Sequence, residues 1–283
     1  MVSTRWLGLK MLVAGAPQLG VLRPAGTVGA MLDLEAYLER IGLSGRTDPV
    51  ELHRAHVTSI PFENLDPRRG IPVSLAPEDL ERKLVRDRRG GYCFEQNLLL
   101  KAGLEALGVR VEPMLARVRA GSAPGTPRPR THLVLRVHAD GAEWHADAGF
   151  GHGTLLEPIP FGSGGPYDQS GWQFRVLEQD RELVLQTAQD GEWVDLYGFV
   201  PEPVPFVDIE TSNWFTCTYP RSPFVTGLIV SAQRPDGARV SLSDWQGLSL
   251  REETPTGGST RPVEPGEVRE LIEERFGLRG FDG

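Results

Sequence analysis

Cys93 stands between a glycine turn and an apolar segment, in the run Arg89-Gly90-Gly91-Tyr92-Cys93-Phe94-Glu95-Gln96-Asn97. A thiol at a helix start faces unpaired backbone N–H groups and the positive end of the helix dipole, and both favour the thiolate. Two more residues join it by a hairpin argument. Thr131 to Val137 and Glu143 to Gly149 flank Asp140-Gly141, a strong two-residue turn signal. With Ala139 opposite Ala142, Val134 falls opposite Asp147 and His132 opposite Gly149. Paired residues share a face that repeats every second position. His132 and Asp147 are then diagonal neighbours, about 7–8 Å apart at the backbone and in reach of a side-chain hydrogen bond. A cysteine, a histidine base and an aspartate that orients it form a set for nucleophilic acyl chemistry.

The elements that must position this set follow from periodicity. Leu34, Tyr37, Leu38 and Ile41 mark one helix face, stopped by Gly42. Val50 to Ser59 reads as a helix led by Thr47, Asp48 and Pro49. Ile60 to Leu65 reads as a loop. Ala76 to Val85 and Cys93 to Leu107 read as further helices, the last ended by Gly108. From Val109 the pattern turns strand-like: Val109 to Val118, a Gly/Pro/Ser loop from Ala120 to Pro129, the hairpin, then Trp172 to Leu177, Leu183 to Thr187 and Trp193 to Leu196. Leu228 to Gln233 and Arg239 to Leu242 flank a Pro-Asp-Gly turn, and Pro265 to Phe276 closes the chain as a helix before Gly277.

The bulk properties narrow the class. The chain has 283 residues, 40% apolar and 24% charged, which suits a soluble globular protein. Its net charge of −8 argues against a nucleic-acid partner. With only Cys93 and Cys217 there is no disulfide framework. No apolar run approaches membrane-spanning length, and the first thirty residues are too interrupted for a secretory signal, so a cytoplasmic location is expected. Those thirty residues show no clear period and precede a second plausible start at Met31, so they are expected to be dispensable.

The cysteine run resembles the active-site motif of the arylamine N-acetyltransferases. The likeness extends over nearly all of residues 31 to 283. It includes Ile60-Pro61-Phe62-Glu63-Asn64-Leu65, Thr131-His132-Leu133, Asp147-Ala148-Gly149-Phe150-Gly151, and Asn213-Trp214-Phe215-Thr216 leading to Ser222-Pro223-Phe224. Ala146 and Ala148 depart from it where the family carries valines, and Cys217 stands where a small hydroxyl residue is expected. The resemblance implies an α+β fold in three parts with a cysteine-protease-like core. A helical part (31–112) carries the nucleophile, an antiparallel β-barrel-like part (113–215) carries His132 and Asp147, and a C-terminal α/β lid (216–283) follows. It implies a ping-pong transfer of acetyl from acetyl-coenzyme A to an arylamine or arylhydrazine through an acetyl-cysteine. Acetyl-coenzyme A is a substrate, and no permanent cofactor or metal is implied. Phe62, Thr131, Gly149, Phe150, Gly151 and Phe224 would line the substrate site. Arg117, Arg119, Arg128 and Arg130 could meet coenzyme A phosphates or an acidic carrier protein. Three alternatives share these residues: an amide synthase that releases a polyketide chain from a carrier protein, a cysteine hydrolase, and a non-catalytic thioester-binding protein.

Other residues have simpler readings. His53 and His56 lie three apart on a helix without a completing ligand, so a solvated or capping role is expected rather than a metal site. His145 shares the hairpin face of Asp147 and is the runner-up base, with an edge or rim position the simpler reading. Gly162-Ser163-Gly164-Gly165 lacks the lysine of a phosphate-binding loop and reads as an ordinary loop. Arg89 and Glu95 are expected to support the nucleophile through salt bridges or hydrogen bonds.

Overall fold

The helical N-terminal third is built on capped starts. The computed structural model describes residues 32–123 and 125–280, so the extension 1–30 lies outside the described residues. Helix α1 (Leu34–Arg40) begins where the Asp33 side chain accepts from Ala36 N, and α2 (Pro49–Ser59) where Asp48 accepts from Val50 N and Glu51 N. A short strand β1 (Phe62–Glu63) and helix α3 (Leu65–Arg68) follow, so the expected loop at 60–65 contains a strand. The expected helix at 76–85 is α4 (Pro77–Leu80) continued by a wider π-type turn, Glu81–Arg86. Helix α5 (Cys93–Ala106) carries the nucleophile candidate at its first position.

The middle of the chain forms one antiparallel, barrel-like sheet. Its strands are β2 (Arg110–Val118), β3 (His132–Ala139), β4 (Ala142–Ala146), β5 (Ile159–Pro160), β6 (Gly164–Gln169), β7 (Trp172–Gln179), β8 (Glu182–Gln189) and β9 (Glu192–Phe199). They lie in the order β5-β4-β3-β2-β9-β8-β7-β6. The glycine run at 162–165 is therefore only partly a loop, since Gly164 opens the end strand β6. The hairpin register is the expected one: Ala139 opposes Ala142 and the ladder runs to Leu135–Ala146. Asp140 and Gly141 both adopt positive φ, as a tight two-residue turn requires.

Helix α6 (Phe206–Thr218) and α7 (Pro223–Thr226) lead into β10 (Ile229–Gln233), β11 (Arg239–Ser243), β12 (Ser249–Thr254) and β13 (Gly257–Pro262). Helix α8 (Val268–Phe276) ends at Gly277 in the left-handed conformation. The second sheet has the order β1-β10-β11-β12-β13, so a strand from the helical third completes it through Phe62–Ser231 and Glu63–Val230. The fold is α+β. We keep the three-part division as a proposal with its boundaries moved to element ends, because 112/113 falls inside β2 and 215/216 inside α6.

The core explains how the site is held. One face of α5, with Leu99, Leu100 and Leu104, packs with Leu135, Val137 and Ala146 of the hairpin. Burying such side chains stabilises by about 1.5–3 kcal/mol each, which presses the helix that carries Cys93 onto the strands that carry its partners. Among the described residues no helix is long and apolar enough to cross a membrane.

Candidate active site

Cys93, His132 and Asp147 are all buried, at 2%, 2% and 0% exposure, so whatever they do is done away from bulk water. His132 Nε2 lies 2.8 Å from Asp147 Oδ2. This is the diagonal pair that the register predicted, although the ladder stops one pair short of Asp147. It leaves Nδ1 as the ring nitrogen free of Asp147. The Cys93 thiol donates to the Thr131 carbonyl at 3.6 Å, which ties α5 to the residue before His132.

Asn97, one helical turn beyond Cys93, closes the arrangement. Its Nδ2 donates to Leu133 O at 2.7 Å and to Asp147 Oδ1 at 3.0 Å, and its Oδ1 accepts from Ala148 N at 3.0 Å. Gly149 N also donates to Asp147 Oδ1, at 2.8 Å. Burial opposes the Asp147 charge, but His132, Asn97 and Gly149 overcome it and hold the carboxyl well below the usual carboxylate range. For Cys93 the balance goes the other way. Burial pushes the thiol up, against backbone N–H donors at Leu133 and Phe94.

The hairpin can approach so closely because position 149 has no side chain. A Cβ there would lie 2.6 Å from Cys93 Cα and 2.7 Å from Asn97 Nδ2. Of the other residues expected around the site, Phe62 and Phe224 pack in the apolar cluster that holds Cys93, with ring centroids 6.2 Å apart. Phe224 also meets Tyr92 at 5.4 Å. Phe150 sits edge-on to His132 at 5.2 Å. Gly151, at positive φ, backs onto Phe62. Arg119 is engaged within the barrel by Glu182 and Asp195, at 2.6 and 3.1 Å. A cavity of about 420 Å³ lies on the C-terminal sheet between Arg234, Glu252, Gly258 and Arg275, and none of the three central residues lines it.

The short motifs act as tethers around this centre. Asn64 Nδ2 donates to Phe224 O at 2.8 Å and Gly227 O at 2.7 Å, so the Ile60–Leu65 motif fixes the segment that presents Phe224. Tyr92 Oη bonds Asn213 Oδ1, and Asn213 Nδ2 donates to Val73 O at 2.9 Å, which docks α6 beside the nucleophile. Cys217 is buried, its thiol near Trp214 O.

A charged cluster supports the start of α5. Lys83 Nζ bridges Asp66 Oδ2 and Glu95 Oε1, both at 2.7 Å. Arg89 joins Glu63 and Asp66, at 2.9 and 2.8 Å. Glu95 Oε2 accepts from Tyr92 N at 3.0 Å, closing the first turn of the helix. Arg89 and Glu95 thus take the supporting place expected of them. Lys83 was not anticipated, its only signal being its rarity in an arginine-rich chain.

The histidines expected at the surface are buried. His56 accepts from Tyr37 at Nδ1 and donates to Gln96 Oε1 through Nε2, both at 2.7 Å. Gln96 Nε2 in turn donates to Pro61 O at 2.8 Å and Gly91 O at 3.1 Å, fixing the glycine turn. His53 donates through Nδ1 to Leu156 O at 3.1 Å and accepts from Asp147 N at 3.2 Å. His145 sits in the barrel, not at its rim, with Nε2 2.7 Å from Tyr197 Oη. Polar side chains on a buried helix face found partners across the core, which periodicity alone does not reveal. Among the described residues no group of three histidines, cysteines or acids could hold a metal ion.

Burial lowers all three of these histidines, His53 and His145 to about 4 and His56 to about 3. In the unfolded chain they protonate near pH 6.5. Below that pH the unfolded state binds more protons, so their contribution is complete above it and is lost as pH falls toward 4. Stability is expected to fall by up to about 1.4 kcal/mol per pH unit for each histidine. Urea midpoints at pH 7, 6 and 5 check this, and a flat midpoint would contradict it.

The sequence and the fold are met in known proteins. An N-acetyltransferase family model matches residues 50–280. The arylamine N-acetyltransferase of Mycolicibacterium smegmatis is 42% identical over 260 residues, covering 87% of this chain and 92% of its own. The Mycobacterium marinum arylamine N-acetyltransferase, solved in complex with CoA, superposes with a TM-score of 0.82 at 37% identity, over 87% of this chain and 93% of its own. The M. tuberculosis enzyme gives 0.82 at 37%, over 87% and 94%. With that coverage, and with cysteine, histidine and aspartate brought together at one helix start, the chain belongs to the arylamine N-acetyltransferase family.

Proposed function

We infer that the protein is an acyltransferase that carries acetyl from acetyl-coenzyme A to an arylamine or arylhydrazine nitrogen, through an acetyl-cysteine at Cys93. The observation that carries the site assignment is the buried His132–Asp147 pair at 2.8 Å, locked to the Cys93 helix by Asn97. The thiolate arises by transfer of the Cys93 proton to His132 Nδ1, which leaves the sulfur free to attack the thioester carbonyl. Asp147 holds the Nε2–H tautomer beforehand and stabilises the imidazolium afterwards. The tetrahedral oxyanion meets first-turn N–H groups of α5, Cys93 N–H among them, which have no intrahelical acceptor. Collapse expels the coenzyme A thiolate, which takes the proton from His132. The amine then attacks the acetyl-cysteine, giving its proton to His132, and the amide leaves with Cys93 restored as a thiol.

Phe62, Phe150 and Phe224, with Thr131, Gly149 and Gly151 shaping the backbone beside them, form the wall against which a small acyl group and a flat amine would lie. The exposed arginines Arg128 and Arg130 suit coenzyme A phosphates. The relatives reported above are arylamine N-acetyltransferases, and release of a polyketide chain has no support among them. A cytoplasmic location is consistent with the two free cysteines.

Intact-mass spectrometry tests the reading. Acetyl-coenzyme A is expected to add one acetyl group, lost on adding an arylamine and absent in Cys93→Ala and His132→Ala. Iodoacetamide at neutral pH is expected to label Cys93 before Cys217. An adduct on Cys217, or acetylation of Cys93→Ala, would refute the assignment.

A further inference from the structure

His53 is a buried titratable group that the reaction above does not use, and its two bonds close on the segment that carries the site. Strands β4 and β5 pair through Trp144–Pro160 and His145–Ile159 and then part. The connection between them runs from Asp147 to Leu156, past Gly149, Phe150 and Gly151. The β3–β4 ladder also ends at Leu135–Ala146, so the buried Asp147 N–H is met by neither neighbouring strand. The imidazole of His53, from α2, stands in this gap. Its Nε2 accepts from Asp147 N at 3.2 Å, and its Nδ1 donates to Leu156 O at 3.1 Å. One ring thus spans the two ends of the segment where a ladder bond would otherwise join them. Thr154 ties the inside of the same segment, donating through Oγ1 to Asp147 O at 2.7 Å and accepting from Phe150 N at 3.3 Å.

Both partners of His53 are backbone groups, and that fixes its hydrogens. An amide N–H only donates and a carbonyl only accepts. The ring must therefore be neutral, with its hydrogen on Nδ1 and its lone pair on Nε2. It is 0% exposed, and burial holds it neutral against the pull of Asp147 and Glu157. A buried N–H without an acceptor is rare and costly, so removing the Nε2 lone pair sends the Asp147 main chain in search of another partner. The carboxylate turns on that same main chain. Asn97 and Gly149 hold Oδ1, and the aim of Oδ2 at His132 Nε2, 2.8 Å away, depends on where the backbone stands.

We propose that His53 is a positioning residue for the acyl transfer: as the Nδ1–H tautomer it clasps the Asp147 N–H and the Leu156 carbonyl, and so sets the Asp147 carboxylate and the Phe150 ring against His132. The proposal rests on the triad reading above. It extends that reading to a histidine on α2 that acts through the Asp147 main chain.

Two substitutions in the full chain separate the two bonds. His53→Asn keeps a donor near the place of Nδ1 for Leu156 O and removes the acceptor for Asp147 N–H. His53→Gln puts an amide oxygen near the place of Nε2, so it keeps that acceptor and gives up the bond to Leu156 O. Each loses one buried hydrogen bond, so their urea midpoints are expected to drop by similar amounts. Single-turnover release of coenzyme A is expected to slow by about ten-fold in His53→Asn, the factor one net hydrogen bond is worth, and to keep most of its rate in His53→Gln. In protein labelled with ¹⁵N-histidine, the His53 ring signal, assigned by its loss in His53→Gln, is expected to show the neutral Nδ1–H pattern. The His132 ring signal is expected to move in His53→Asn and to stay in place in His53→Gln. An Nε2–H or charged His53 ring, matching rates in the two variants, or an unmoved His132 signal in His53→Asn would overturn the proposal. The wild-type ring pattern decides even where a variant fails to fold, and the ring signals are read in the resting enzyme, apart from turnover. A wild-type rate in Asp147→Asn would instead overturn the triad reading, and the positioning role with it.

Discussion

Asp147→Asn is expected to slow acetylation of Cys93 by about 10⁴-fold while leaving the fold intact. The direction follows from how an amide must sit in this pocket. Oδ1 of Asp147 receives two donors, Asn97 Nδ2–H and Gly149 N–H. An asparagine satisfies both only by placing its carbonyl oxygen there. Its NH₂ then faces His132 Nε2, where the carboxylate now lies at 2.8 Å. A donor at that point forces Nε2 to accept, and the imidazole proton moves to Nδ1. The nitrogen needed to receive the thiol proton is then already occupied. Burial pushes the Cys93 thiol up, so formation of the thiolate leans on that nitrogen. Rapid-mix measurement of coenzyme A release gives the rate, and the urea midpoint checks the fold. A loss of less than ten-fold with the midpoint unchanged would show that His132 finds its tautomer without Asp147.

The same geometry shows what the sequence could and could not disclose. The hairpin was legible because turn chemistry at Asp140-Gly141 sets register, and register sets faces, so His132 and Asp147 could be paired on paper. Helix starts at Asp48 and Cys93 were legible through caps and flanking glycines. Helix α6 was not, because Phe206, Ile209, Trp214 and Phe215 spread apolar side chains around it, with Trp214 66% exposed and Ile209 1%. Strands β12 and β13 were not, because β13 is exposed throughout and has no alternation to read. Gln96 and Asn97 are polar positions in the leucine-rich helix α5. Their meaning is in bonds to Asp147, Leu133, Pro61 and Gly91, which lie on other elements. His53, His56 and His145 were misplaced for the same reason: a polar side chain with a partner across the core has the same letter as one in water.

Lys83→Met is expected to destabilise the protein by about 3–5 kcal/mol, the scale for removing one partner of a buried ion pair. The lysine side chain is 13% exposed and its acceptors are more than a surface pair: Glu95 is 2% exposed and Asp66 14%. Burial works against the Lys83 charge, yet Glu95, Glu63 and Asp66 outweigh it and raise its pKa above the usual lysine range. Burial raises the Glu95 pKa against the pull of Lys83. Without Lys83, Arg89 keeps Glu63 and Asp66 as partners, and Glu95 must take up a proton or find water. Glu95 also accepts the Tyr92 N–H that opens α5, so the strain reaches the residue before Cys93. Acetylation is therefore expected to weaken along with stability. The double variant Lys83→Met/Glu95→Gln removes the stranded charge and keeps an acceptor for Tyr92 N–H, so it is expected to recover much of both. Urea unfolding of the four proteins of this cycle measures the coupling. A single variant within 1 kcal/mol of wild type, on the order of a surface pair, would show that the cluster is wet and that Arg89 alone suffices.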